Sequence, residues 1–181
     1  MKLVLGQLFR ASFVQRPNRF LVRCFIVGRG HVKAQMPNPG RMAELLIPGV
    51  TLLISDDSVG SEFPSLKGGQ EKRKTRYTVW AVESDSETIF VHTHRTNRVA
   101  DYLLQTARIP SLESAKVVRT EVPHGRSRFD FLMEERGERF MLEVKSVTLF
   151  GNGAAQFPDA VTERGRHHLL KLAELGDEAM R

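Results

Sequence analysis

Cysteine occurs once in the 181 residues, as Cys24. That excludes an internal disulfide and any structural zinc site built on several thiolates, and it fits a reducing compartment. Long apolar runs are missing too, and no window approaches the length of a membrane span. The opening stretch MKLVLGQLFRASF is interrupted by Gln7 and Arg10, and no small-residue cleavage site follows. No export signal is read there, so a soluble cytoplasmic protein is expected. Acidic residues are scarce in the first half. Residues 1–82 hold 13 basic and 5 acidic side chains, against 14 and 16 for residues 83–181. A positive field confined to one half suggests a polyanionic partner for that half, although an ordinary solvated basic surface accounts for the charge equally well.

What is present changes rhythm along the chain. RFLVRCFIVG (19–28), HVKAQM (31–36), VTLLIS (50–55), RYTVWAVES (76–84) and TIFVHT (88–93) are rich in β-branched and aromatic residues and are separated by turn signals such as PNPG. RMAELLIPG reads as one short helical turn ended by Pro48, and DDSVGSEFPSLKGGQEKRKTR as a long polar loop. Short strands packed this closely favour a small closed β-barrel, because an open sheet leaves edges to protect. NRVADYLLQTAR (97–108) then shows helical spacing with Asn97 at the N-cap, followed by a strand in AKVVRTEV. Two further strands, a loop through GNGAAQFPDA and a helix in VTERGRHHLLKLAEL complete the order. The expected class is α+β in two domains, a basic β-barrel over residues 1–84 and an α/β unit over 85–181.

The stretch SRFDFLMEERGERFMLEVKS (127–146) places single acids inside apolar runs, where ionised groups resist burial. If the runs 127–133 and 139–146 pair as a hairpin turning at Arg136 and Gly137, Asp130 lies directly opposite Glu143, with Cβ atoms about 5 Å apart. A slip of one residue would separate them. Two carboxylates that close need a proton or a cation between them, and hard oxygen ligands favour Mg²⁺ or Mn²⁺. Lys145, two residues on, points the same way and suits an attacking water or a phosphate oxygen. Such a trio is equipment for cutting a phosphodiester. The same spacing also fits surface salt bridges on a half-solvated hairpin.

Elsewhere, Lys72, Arg73, Lys74 and Arg76 stand beside Tyr77 and Trp80, a mixture suited to a phosphate backbone with unstacked bases nearby. Trp80 alternates with Thr78 and Val82 and is expected in the core. Arg16, Arg19 and Arg41 flank turns and could line a groove. Arg164 and His168 share one side of the last helix, and Cys24 reads as a small buried hydrophobe.

The chain resembles the sugar fermentation stimulation protein family through RPNRFLVRC, MPNPGRMAELLIPG, KRKTRYTVW, SRFDF, LEVKSVTL and FPDAVTERGRHHLLKL, in order from about residue 16 to 172. The resemblance implies an N-terminal OB-fold-like barrel, a C-terminal domain similar to PD-(D/E)XK nucleases, DNA binding, and a link to regulation of sugar (maltose) metabolism. The nuclease pattern maps onto Asp130, Glu143 and Lys145, with Asn97 where many nucleases carry a further acid. It also supports Arg164 and His168 as phosphate contacts. The family pattern continues past the position of GDEAMR, which implies a nuclease-like domain shortened at its C-terminal end. The expected partner is DNA held largely without base readout, with RNA as the open alternative, no membrane, and oligomeric state undecided. Whether the nuclease-like site cuts or only docks phosphate is also undecided.

Overall fold

Alternation decides the first strands. In Leu21–Ile26 the side chains of Val22, Cys24 and Ile26 are buried while Arg23 and Phe25 are exposed, the period of two that one-sided burial imposes. The computed structural model describes residues 7–58, 75–84, 87–125, 127–151, 154–156 and 163–179. Contacts divide the chain into two units, Lys2–His94 with Thr148–Ala155, and Arg95–Val147 with Gln156–Arg181.

The first unit is built on six strands: β1 (Leu8–Asn18), β2 (Leu21–Ile26), β3 (Gly30–Gln35), β4 (Thr51–Asp56), β5 (Tyr77–Ser84) and β6 (Glu87–Phe90). Their order in the sheet is β3-β2-β1-β4-β5-β6. Strand β1 serves both halves, pairing through Leu8–Ser12 with β4 and through Ser12–Asn18 with β2. Register shifts after Phe13 and Gln15 let it curl from one partner to the other, as bulges do. Parallel pairing of Ala34 with Tyr77 and Gln35 with Thr78 joins β3 to β5 and closes a five-stranded barrel. Strand β6 adds to β5, so this sheet runs past residue 84. The long strand β1 was not anticipated from the sequence, because its burial loses the period of two after Phe13, where the register shifts begin.

Inside the barrel, Val22, Cys24, Ala34, Met36, Leu52, Ile54, Val79 and Val82 are fully buried. Burial pushes the Cys24 thiol up to about 11, so it packs as a hydrophobe. Trp80 is buried as well, and its Nε1 donates to Ser55 Oγ at 2.9 Å.

A 3₁₀ turn (Thr93–Arg95) crosses the boundary at Arg95 and leads into α1 (Thr96–Gln105), the first helix of the second unit. An antiparallel sheet follows: β7 (Lys116–His124), β8 (Ser127–Glu135) and β9 (Glu138–Leu142). The short pair β10 (Leu149–Gly151) and β11 (Ala154–Gln156) occupies part of the stretch read as loop and, up to Ala155, is grouped with the first unit, whereas α2 (Glu163–Ala179) belongs to the second and ends the chain's described elements. Ala100 and Leu104 of α1 bury against Phe131 and Met133 of β8. Among the described residues no helix is long and apolar enough to cross a membrane.

Candidate functional site

The hairpin of β8 and β9 turns through Arg136 (φ 53°) and Gly137 (φ 85°). Two consecutive positive φ values match the right-handed twist of a two-residue hairpin, and glycine takes the more extreme one without penalty. Glu135 pairs with Glu138, and the ladder runs back to Phe131 with Leu142. In that register Asp130 and Glu143 are the next opposed pair. Strand β9 ends at Leu142, earlier than the sequence reading had it, because the Asp130 side chain interrupts the ladder: its Oδ2 accepts Val144 N–H at 2.7 Å.

Asp130 Oδ1 accepts from Asn97 Nδ2 at 2.6 Å. The sequence placed Asn97 at the N-cap of α1. Arg95 holds that position instead, no side chain caps the helix, and Asn97 is drawn into the first turn, where it reaches the acid. Burial raises the Asp130 carboxyl above its usual range; the Val144 and Asn97 hydrogen bonds oppose this, and the nearby Glu143 charge adds to it.

Glu143 is more deeply placed, with a side chain 5% exposed. Its Oε1 accepts both Lys145 Nζ and His168 Nδ1, the latter at 2.7 Å. Burial pushes this carboxyl up, but the Lys145 and His168 hydrogen bonds outweigh it and leave it below its ordinary value. Its Oε2 is buried and has no hydrogen-bond partner among the described residues. An unsatisfied carboxylate oxygen in such a place is costly unless something else coordinates it. Helix α2 is fixed twice: His167 Nε2 lies 3.2 Å from Ser127 Oγ, and the His168 ring packs on Phe129. Neither contact is legible in a pattern, because adjacent histidines on a helix face apart and only the sheet's position brings both into use.

Asp130, Glu143, Lys145, Asn97 and His168 therefore come together. No group of three or more His, Cys, Asp or Glu side chains is arranged to hold a metal among the described residues. Two carboxylates still fit a hard cation that keeps most of its waters, as Mg²⁺ does.

The expected nucleic-acid contacts of the barrel divide. Arg19 and Arg41 are exposed. Arg16 lies between them and directs its guanidinium inward, with Nη1 donating to the carbonyls of Gly40 and Arg41 at 2.6 and 2.7 Å and Nη2 to those of Arg19 and Asn38 at 2.6 and 2.7 Å. It orders the PNPG loop, a role that no local pattern of residues encodes. Replacing it with methionine keeps the stem and strands four carbonyls, so Arg16→Met should lower barrel stability by about 2 kcal/mol in urea unfolding. Arg76 forks onto Asp56, donating from Nε at 2.9 Å and Nη2 at 2.7 Å. Both arginines thus have internal partners. Lys72, Arg73 and Lys74 lie outside the described residues, as does the Arg164 side chain on α2.

Comparison with known proteins matches both units. The family described as SfsA N-terminal OB domain covers residues 14–91, and that described as Sugar fermentation stimulation protein RE domain covers residues 94–181. The sugar fermentation stimulation protein homolog of Clostridium tetani is 34% identical over 173 residues, 94% of this chain and 70% of that protein. The homolog of Methanothermobacter thermautotrophicus is 35% identical over 163 residues, 90% of this chain and 63% of its own length. The solved structure of Pyrococcus furiosus SfsA in complex with Ca²⁺ superposes with a TM-score of 0.75 at 28% identity, covering 99% of this chain and 72% of that one. The chain thus spans between 63 and 72% of these relatives. With an OB-type barrel closed by its third and fifth strands, and relatives above 30% identity along nearly all of its length, it belongs to the sugar fermentation stimulation protein family.

Proposed function

We propose that this chain is a DNA-binding protein whose second unit holds a divalent cation, Mg²⁺ or Mn²⁺, and hydrolyses phosphodiester bonds beside it. The observation that carries the reading is the buried, unpartnered Oε2 of Glu143 next to a second half-buried carboxylate, Asp130. Asp130 and Glu143 would be the protein ligands. The Ca²⁺ bound by the Pyrococcus relative supports an oxygen-ligand site in this fold. When bound, such an ion polarises a phosphoryl oxygen and acidifies a water.

The protein's own groups supply the rest. Asn97 and the Val144 N–H hold the Asp130 carboxylate in one orientation. His168 and Lys145 both bond Glu143 Oε1, which leaves Oε2 as the oxygen to present. The Lys145 ammonium has further donors, so it can hold a water or a phosphate oxygen without releasing Glu143. Fixed side chains of this kind lower a barrier by orientation and by charge placed in advance.

The excess of 13 basic over 5 acidic side chains in residues 1–82 supports DNA as the partner, held through its phosphates. Affinity should fall linearly with salt on a double-logarithmic plot, and a salt-independent affinity would remove the phosphate reading. The link to regulation of sugar (maltose) metabolism would act through that DNA binding. A second reading, a regulator whose site only docks phosphate, draws on Lys145 already being paired with Glu143. Supercoiled plasmid with Mg²⁺ or Mn²⁺ separates the two: nicking that EDTA abolishes supports the enzyme, while retention without nicking supports the binder.

A further inference from the structure

Helix α2 stands apart from the apolar core of the second unit. That core is built on Ala100 and Leu104 of α1, Ala115, and Phe131 and Met133 of β8, and among the described residues no side chain of α2 belongs to it. Leu169 and Leu170 are 49% and 51% exposed. Two adjacent histidines reach from the helix to the sheet. His167 Nε2 lies 3.2 Å from Ser127 Oγ, and the buried His168 packs its ring on Phe129 and places Nδ1 2.7 Å from Glu143 Oε1. A helix of 17 residues is marginal in water without packing, and a hydrogen bond to a charged group contributes more than one between neutral groups. The docking of α2 therefore leans on Glu143.

The same carboxylate offers its other oxygen, Oε2, to the cation. Its hydrogen bonds keep the Glu143 carboxyl below its ordinary value, and an ionised carboxylate only accepts, so His168 Nδ1 is the donor. Lys145 bonds the same oxygen on a flexible stem from two residues along Glu143's own segment, and so ties it to no other element. His168 does. Donors behind a metal ligand hold it in its ligating orientation, and losing one costs about 10–100-fold in affinity. Such a coupling is reciprocal: the factor by which docking raises cation affinity is the factor by which the cation raises docking.

We propose that His168 is a positioning residue, and that through it cation binding at Glu143 and docking of α2 on the sheet stabilise each other. The assignment rests on the cation-site reading above and adds the helix to it. With the ion absent α2 undocks more readily, and Glu143 then loses the donor that leaves Oε2 free to ligate. With the ion bound, one fixed carboxylate holds both ion and helix.

Hydrogen exchange of the full chain, read on peptides from residues 163–179, and Mn²⁺ calorimetry on the same preparations test this. Saturating Mn²⁺ should slow exchange of wild-type α2 about tenfold. His168→Ala should weaken Mn²⁺ binding by the same factor, about tenfold, and leave α2 exchange insensitive to Mn²⁺. His168→Asn carries an amide N–H close to the place of Nδ1 and should regain most of both effects, a rescue that lost packing on Phe129 does not permit. His167→Ala removes the other tie without touching Glu143, so α2 should exchange faster without Mn²⁺ and still slow when it is added. Unchanged exchange in β8 establishes that the sheet stays folded in each variant. Mn²⁺ binding to wild type with no change in α2 exchange overturns the coupling, as does wild-type Mn²⁺ affinity in His168→Ala. His168→Asn that behaves as His168→Ala overturns the positioning role. Wild-type protein that binds no Mn²⁺ overturns the cation-site reading itself, which distinguishes the two failures.

Discussion

Asp130→Asn should abolish both cation binding and cation-dependent nicking, whereas Lys145→Ala should abolish nicking alone. The split follows from what each group touches. At position 130 an amide keeps the size but loses the charge, and its NH₂ must face either the Asn97 amide or the Val144 N–H, both of which already donate there. The cation loses a ligand and the remaining oxygen loses its orientation. Lys145 bonds Glu143 at Oε1 and leaves Oε2, the oxygen offered to the cation, untouched. Removing it leaves cation affinity in calorimetry equal or higher. What disappears is the ammonium that holds the water or the phosphate, worth about 10²–10³ in rate by analogy with other positioned donors. Mn²⁺ titration and plasmid nicking on the same preparations decide the matter. Lys145→Ala that nicks at the wild-type rate removes the catalytic reading, and Asp130→Asn that binds Mn²⁺ normally removes the metal site.

How far such features can be read from sequence depends on whether they are periodic. Alternation with a Gly at the turn was enough to bring Asp130 opposite Glu143, because a two-residue hairpin and one buried face, Phe129, Phe131 and Met133, leave a single register. The barrel was legible in β2 to β6 from β-branched and aromatic runs bounded by turn signals, even where, as in β5, burial on both faces removes the alternation. Its long first strand was not, because β1 changes partner midway through two bulges and its burial loses the period of two. Arginines were the least legible. Arg16, Arg23 and Arg76 look alike in a basic sequence, yet the first holds four carbonyls, the second faces solvent and the third is forked onto an acid. What separates them is the position of distant backbone, which charge patterning does not encode. Asn97 shows the converse: an asparagine at a helix start has two local uses, and the nearby Asp130 selected the other one.

Asp56→Asn should cost the barrel about 3 kcal/mol near neutral pH, the low end for breaking a buried charge pair because both arginine partners can regain water. The Asp56 side chain is 2% exposed and accepts from Arg76, from Arg29 Nη1 at 3.0 Å, and from Ser58 N–H and Oγ at 3.1 and 2.6 Å. The Arg76 hydrogen bonds hold its carboxyl far below the usual carboxylate range; burial opposes them, and Ser58 and Arg29 reinforce them. An acid whose native value is depressed stabilises the fold fully above its unfolded value, near 4, and loses that contribution as pH falls toward the native one. The gap between wild type and Asp56→Asn should therefore be constant from pH 7 to about 5 and narrow below about 4. The other carboxylates titrate in both proteins and cancel in the difference. Trp80 is the chain's single tryptophan and bonds Ser55, the neighbour of Asp56 on β4, so its fluorescence in urea reports this unit alone. A gap that holds its full size at pH 3 would mean that the asparagine disturbs packing rather than charge, and the arginine fork would then have no electrostatic part in keeping the barrel closed.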